Sequence, residues 1–270
     1  MSIESKYTDA IRENRPIAYA GLEFHPLTVR DYALYHSARP AFELMLSSLP
    51  PKLARLSWCS CLYALDSAAK EQNMDGGLFN LAMAVLAKAL RLTPFHDAAQ
   101  PTETKIPIQV QTKNGQLDAI FVNREVCLSM AQMDEVRRII AEQNGYEIPD
   151  ESYNPELIEA LHYTASQKDS ELVLDFDALV FSVALNAKVQ PSAVWGWTIR
   201  DFQKMQEAID RTLGYQIYTT ASLSGFVKFP KGNPFPTWKF TRKIELGGDM
   251  KTIEELDAGA KGLLADTTKE

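Results

Sequence analysis

Residues 195–240 read WGWTIRDFQKMQEAIDRTLGYQIYTTASLSGFVKFPKGNPFPTWKF and contain the most clearly signalled helix of the chain. Thr198 and Asp201 have the spacing of a capping box, and Trp197, just before the cap, is expected to pack on Phe202 as a hydrophobic staple. The stretch therefore predicts a long amphipathic helix, because apolar residues recur at helical spacing at Ile199, Phe202, Met205, Ile209, Leu213, Ile217 and Ala221.

The helix is predicted to end at Gly225, and residues 226–243 then combine basic and aromatic side chains without Asp or Glu. One interpretation is a platform for nucleic acid, on which rings stack with bases and lysines follow phosphates. The other is a proline-punctuated strand or loop that packs its rings on the preceding helix. We favour packing, because nucleic-acid domains usually carry a larger basic footprint. The residues concerned are Phe226, Lys228, Phe229, Lys231, Phe235, Trp238, Lys239, Phe240, Arg242 and Lys243.

The composition is that of a folded protein. The chain has 270 residues, of which 46% are hydrophobic and 23% charged, and its net charge of -7 disfavours binding to nucleic acid or anionic membrane. The odd set of Cys59, Cys61 and Cys127 predicts free thiols in a reducing compartment. No signal peptide and no run of about 18 apolar residues is recognisable, so we expect a soluble, cytoplasmic protein.

The N-terminal segment, residues 1–98, is predicted to be a hairpin followed by a helical core. Apolar runs on both sides of Gly21 indicate the hairpin, and Pro40 is expected to end or restart the helix that follows. A longer helix is predicted over 52–73 after a proline pair, and a second over 78–92. The two are expected to pack as an antiparallel pair.

Residues 99–128 are predicted to be a linker and a β-hairpin. The polar, proline-marked stretch 94–103 is the best candidate for a linker between the halves. After it, apolar residues alternate on both sides of Asn114 and Gly115, which is the strongest short hairpin signal because both residues tolerate positive φ.

Residues 129–243 are predicted to be a helical domain, followed by a flexible tail over 244–270. Ser129 and Gln132 form a capping-box pattern, and Gly145 closes the helix that they begin. Further helices are expected to begin at Asn154-Pro155 and at Asp175 or Asp177. The fold class is thus mainly α with small β-hairpins (α+β), in two helix-rich halves, and the absence of strand–helix alternation argues against a doubly wound sheet.

The sequence favours a protein that is not an enzyme and has no metal or cofactor. His25, His36, His96 and His162 are widely separated, and Cys59 and Cys61 point in different directions on a helix. Asp175-Phe176-Asp177 has the pattern of an acidic metal-binding pair, but its position before an apolar helix favours a cap. Phosphate-loop and nucleophile-elbow motifs are missing from the sequence.

Four pieces of the sequence follow one another between about Met133 and Phe240. They are 134–140 with Gln143 and Asn144, Trp197-Thr198-Ile199 with Phe202, 215–218, and 224–229 ahead of Trp238. In this order they resemble the tail assembly chaperones of long-tailed bacteriophages. At two positions the chain departs from the family pattern, because Phe226 stands where Met is frequent and Thr237 where His is frequent.

The resemblance implies a binder in the cytoplasm of the infected host cell that coats the tape measure protein, or another tail protein, during virion morphogenesis. Met and aromatic side chains suit the reversible covering of an amphipathic helix. A structural baseplate or tail-tip component is the alternative within phages, and a nucleic-acid-acting enzyme or binder the alternative outside that class. Self-association is left open. The candidate partner-binding residues are Trp195, Trp197, Phe226, Phe229, Trp238 and Phe240, and the candidate methionines are Met74, Met83, Met130, Met133 and Met205.

Overall fold

Helices make up most of the chain in the computed structural model, which describes residues 6–72, 77–93, 95–97, 100–105, 107–113, 115–148 and 175–224. Over this part of the chain the helices are α1 (Thr8–Arg12), α2 (Tyr32–Phe42), α3 (Pro51–Ala54), α4 (Trp58–Glu71), α5 (Leu78–Ala89), α6 (Met130–Asn144), α7 (Phe176–Ala187), α8 (Pro191–Val194) and α9 (Ile199–Leu223). Short 3-10 turns lie at Val29–Asp31 and Leu46–Ser48.

Three small antiparallel sheets accompany the helices in the described residues. They contain β1 (Ile17–Tyr19) with β2 (Leu22–Phe24), β3 (Phe95–Asp97) with β4 (Gln100–Lys105), and β5 (Ile108–Lys113) with β6 (Gln116–Val122) and β7 (Val126–Ser129). The predicted class, mainly α with small β-hairpins, is confirmed.

By compactness the chain consists of two units, residues 1–207 and 208–270. This boundary lies within α9, whereas the segments predicted from the sequence end at 98, 128 and 243. The first unit holds the hydrophobic core, and the described part of the second is the C-terminal half of α9 with one further residue.

Both predicted hairpins are present. The first turns at Ala20 and Gly21, whose φ angles of 52° and 79° match the twist of two antiparallel strands. The second turns next to Gly115, with φ of 78°, and pairs Lys113 with Gln116. Its strand β6 contributes Leu117, Ile120 and Val122 to the hydrophobic core.

Both ends of α6 follow the sequence signals. The Ser129 hydroxyl accepts from the Gln132 backbone N–H, and the Gln132 amide oxygen accepts from the Ser129 N–H, so the predicted capping box is confirmed. Gly145 ends the helix in the left-handed conformation, and a Cβ at this position would lie 2.6 Å from the side-chain oxygen of Gln203. The left-handed conformation favours glycine there, and any larger residue would also displace the end of the Gln203 side chain.

Two expectations about the first helices are wrong. Pro40 does not end or restart α2, which continues to Phe42 with the proline inside it. The proline lacks an N–H to donate, but the last turn is still completed after it, since the Glu43 N–H donates to the Arg39 carbonyl. The single helix predicted over 52–73 is two helices, because the chain leaves α3 at Arg55 and Ser57 caps a new helix through the Ser60 N–H. The second of these, α4, contacts α5, as expected for the predicted helix pair.

The stretch 94–103, predicted to be a linker, contains paired strands. Its residues supply β3 and the first part of β4, which pair with each other in antiparallel register from Phe95 and Lys105 inwards. Backbone pairing across the short connection satisfies the amide groups that an irregular linker would leave to water, and polar composition did not reveal this.

A chain of packed rings runs through the core. The Trp58 ring centroid lies 5.2 Å from that of Phe42, and the Tyr146 ring lies 4.6 Å from Phe42 and 4.5 Å from Tyr35. Such contacts add to the burial of each ring. They join α2, α4 and the residues after α6 into one hydrophobic cluster, which also includes Leu62, Leu86, Ile120 and Ile139.

Asp66 joins α4 to α5. Its carboxylate is buried and accepts hydrogen bonds from three backbone N–H groups, those of Gly77 and Leu78 on Oδ1 and that of Phe79 on Oδ2, each at 3.0 Å. The first N–H groups of a helix lack intrahelical acceptors, and a negative charge at this end also interacts favourably with the helix dipole. A residue of the preceding helix therefore caps α5.

The helix expected from Asn154-Pro155, the aromatic and basic segment 226–243 and the tail 244–270 lie outside the described residues, as does Gly225, the predicted stop of α9. The described part of α9 ends at Leu223.

Asp66→Asn should lower the free energy of unfolding by about 2–3 kcal/mol, because an amide NH2 group would face one of the buried N–H donors and leave it without an acceptor. Urea unfolding followed by circular dichroism measures the change. Asp9→Asn is the matched control: Asp9 is an exposed acid in the first turn of α1, and its loss should cost under about 0.5 kcal/mol. Equal unfolding midpoints for the two variants would contradict the capping role.

Candidate partner-binding surface

Trp195 lies at the end of α8 and is half buried. Its ring meets that of Phe176 edge to face at a centroid distance of 5.8 Å, and Phe176 in turn stacks on Tyr32 at 3.9 Å. Trp195 thus helps to hold α7 and α8 against α2. Only part of the Trp195 side chain is therefore exposed at the protein surface.

Trp197 is held mainly through its backbone. Its carbonyl accepts from the Val29 N–H at 2.9 Å, and the Ile199 N–H donates to the Leu27 carbonyl at 3.1 Å, so residues 197–199 run beside 27–29. A single antiparallel bridge joins Thr28 to Thr198. The Trp197 side chain is half buried, like that of Trp195, whereas Phe226, Phe229, Trp238 and Phe240, the other candidate partner-binding residues, lie outside the described residues.

The first part of α9 is anchored in the core of the first unit. The Thr198 hydroxyl accepts from the Asp201 N–H at 3.1 Å, which confirms Thr198 as the cap, and the Asp201 carboxylate accepts from the Asn14 side chain at 2.6 Å. Ile199 and Phe202 are fully buried. This anchoring fixes where the helix begins and in which direction it leaves the cap.

The second part of α9, in the second unit, presents apolar side chains to solvent. Leu213, Ile217 and Leu223 are 44%, 65% and 83% exposed. At about 100° per residue these three positions lie within an arc of about 120° on one side of the helix. The stripe that begins in the core at Ile199 therefore continues as an exposed apolar face, which we call the α9 face: Leu213, Ile217 and Leu223.

A second exposed apolar face lies on α7, and the sequence analysis did not identify it. Phe181 and Leu185, one turn apart, are 60% and 79% exposed, while Val180, Val183 and Ala184 of the same helix are buried. We call Phe181, Leu185 and the following Val189 the α7 face. A signal was present, because FDALVFSVALNA has apolar residues on more than one side of the helix, and such a helix needs cover on more than one side.

Two of the candidate methionines are core residues. Met83 and Met133 are buried in the hydrophobic cluster, and Met130 packs against it, so Met83 and Met133 offer no surface to a partner. Met205 is half buried on α9, and Met74 lies outside the described residues.

A groove of 280 Å³ lies between α4 and the turn of the β5–β6 hairpin, lined among others by Ser60, Tyr63, Ser67, Glu71 and Gln116. The Ser67 hydroxyl donates to the Tyr63 carbonyl and the Ser60 hydroxyl accepts from Ser57, so these hydroxyls bond within or at the start of their own helix. The lining residues that the structure describes include neither histidine nor cysteine.

The described residues contain no group of three or more His, Cys, Asp or Glu side chains placed to hold a metal ion. No described helix is both long enough and apolar enough to cross a membrane. Asp175 caps α7 by accepting from the Ala178 N–H at 3.1 Å, which confirms the capping interpretation of Asp175-Phe176-Asp177.

The three cysteines are free thiols, as predicted, but their environments differ. Cys59 and Cys61 are fully buried in α4, and removal from water raises the pKa of both thiols above the ordinary value. Cys127 is exposed on β7. Of the three thiols, Cys127 is the one that is accessible to reagents.

Comparisons of the chain with models of protein families, with curated proteins and with solved structures give no match.

The cysteines provide a direct test of the core. At neutral pH the native protein should react with a chromogenic disulfide reagent at one thiol per chain, and at three after denaturation, because only the thiolate attacks and two thiols are buried and protonated. Cys127→Ser should abolish the native reaction and leave two thiols in the denatured chain. Rapid reaction of a second thiol in the native protein would contradict the placement of Cys59 and Cys61.

Proposed function

We propose that this protein is a tail assembly chaperone of a long-tailed bacteriophage, which binds the tape measure protein in the cytoplasm of the infected cell and keeps it soluble until the tail tube forms. The proposal rests on the resemblance carried by residues from about Met133 to Phe240. The observation that carries it furthest is the exposed α9 face.

The α9 face has the form that a helical client requires. From Leu213 to Leu223 the stripe is about 15 Å long at about 1.5 Å per residue, which corresponds to about three turns. An amphipathic helix lying along it would bury apolar side chains of both partners, the usual mode in which a protein takes up a helix. A tape measure protein is a long helical protein, so its apolar stripes are the chemistry that this face would cover.

The remainder of the protein suits a reversible binder. The anchored cap at Thr198 and the buried Phe202 hold the start of α9 in place. The net charge of -7 keeps a chain with exposed apolar side chains in solution through mutual repulsion. Exposed leucine, isoleucine and phenylalanine side chains at adjacent turns promote aggregation. Because of this risk, their presence at the surface favours a role in binding a partner.

Ile217→Glu should lower the amount of soluble tape measure protein when the two chains are produced together, because a charge in the middle of the α9 face must lose its water on binding. We expect the variant to bind the tape measure protein about tenfold more weakly, as measured by calorimetry with the purified proteins. Circular dichroism and the melting temperature of the variant alone should remain those of the parent, since Ile217 is 65% exposed.

Ser222→Glu is the matched control. It adds the same charge to the same helix at an exposed position about 140° away from Ile217, and it should leave the soluble yield unchanged. If the tape measure protein is equally soluble with and without the parent chain and forms no complex with it, the chaperone proposal fails. If instead the protein is found in purified virions, the structural baseplate or tail-tip alternative is favoured.

A further inference from the structure

The α7 face is built differently from the α9 face, because charges flank it on one edge. On the inner side of α7, Val180 and Val183 are buried, and the Phe176 ring contacts the rings of Tyr32 and Phe202. The outer side carries Phe181 and Leu185, which are exposed along most of their length. Nothing in the described part of the first unit shields the centre of this outer side.

The charged residues of α7 and its cap are arranged along the edge of the outer side. Asp177 lies in the first turn and Lys188 is the C-cap residue, and both are exposed. At about 100° per residue they lie about 20° apart around the helix, and about 16 Å apart along it. One edge of the α7 face therefore has an acid at its N-terminal end and a base at its C-terminal end.

We propose that α7 is the contact through which two copies of this chain associate, packed antiparallel about a two-fold axis. In such a pair each residue on one helix meets the residue equally far from the axis on the other. An axis midway between Phe181 and Leu185 brings Phe181 of each copy against Leu185 of the other.

The same axis also pairs the charges. The midpoint between Asp177 and Lys188 lies half a residue from that between Phe181 and Leu185, a difference of about 0.8 Å along the helix. Because the axis is perpendicular to the plane of the two helices, the charged edges of the copies fall on the same side. Asp177 of each copy then meets Lys188 of the other, and two ion pairs close the ends of an apolar centre.

A parallel two-fold pair cannot form these ion pairs, because it places the charged edges of the two copies on opposite sides of the contact and brings like charges to the same level. A client helix would have to supply a base and an acid at this separation, whereas a second copy supplies them by symmetry. Self-complementarity of both the apolar centre and the charged edge thus selects a second copy as the occupant.

The contact is small. Two helices of about 18 Å bury less surface than a standard stable interface, so the dimer should have a dissociation constant on the order of 10–100 µM. Sedimentation velocity of the full chain alone, over a range of concentrations at low ionic strength, measures this constant. No client is present in the experiment, so its outcome is independent of the proposed chaperone function.

Leu185→Glu should weaken the dimer by at least about tenfold, because it places a charge in the apolar centre. Ile217→Glu, the same kind of change on the α9 face, is the matched control and should leave the dissociation constant within about twofold of the parent value. Equal weakening by both variants, or a chain that remains monomeric at about 200 µM, would overturn the proposal.

Exchange of the charges tests the antiparallel arrangement itself. Asp177→Lys alone and Lys188→Asp alone should each weaken the dimer by about tenfold, since two attractions become two repulsions. Aspartate is chosen at 188 because it tolerates the positive φ of 57° found there, and Asp175 still caps the helix in both variants. The double variant should regain the parent affinity within about threefold. Failure of the double variant to recover, with the helical content of all variants unchanged, would exclude the antiparallel pair.

Discussion

The packing of the first unit depends on the buried guanidinium of Arg137. From α6 it donates to the Phe42 carbonyl through Nε at 2.9 Å and Nη2 at 2.6 Å, and to the Leu44 carbonyl through Nη2 at 2.8 Å. These carbonyls lie at and just beyond the end of α2, where acceptors lack helical partners and a cation is favoured. A buried charge is costly unless its hydrogen bonds are satisfied, so α2 and α6 must stay together.

The same region of α6 holds the start of α4. The Asp134 carboxylate accepts from the Trp58 N–H at 3.0 Å, and the Arg137 guanidinium carbon lies 5.5 Å from the centroid of the Trp58 ring. Partial burial raises the pKa of Asp134, against the opposing effects of the Trp58 N–H and of Arg137. Two oppositely charged residues, less than one turn apart, thereby connect α6 to two other helices.

This well-anchored core explains how the chain tolerates exposed apolar faces. Polar bonds to backbone groups, such as those of Arg137, Asn144 with the Leu27 N–H and Gln143 with the Phe24 carbonyl, fix the elements in position. The stability of the first unit then does not require burial of Phe181 or Leu185. Side chains left outside a core of this kind are available to partners, whether a client on α9 or a second copy on α7.

The sequence by itself determined the elements whose signals are local: the hairpins at Gly21 and Gly115, the capping box of Ser129, and the cap at Thr198. Each depends on residues within a few positions of one another, so a short pattern suffices. For the helix that begins near residue 176 the sequence left Asp175 and Asp177 as alternative caps, and the structure decided for Asp175. The tertiary structure alone decided that Asp66 caps the next helix and that Arg137 binds carbonyls 93 and 95 positions away along the chain. It also decided that residues 95–97 pair with strand 100–105. It also decided which apolar stripes remain exposed, because periodicity gives the apolar side of a helix but not what covers it.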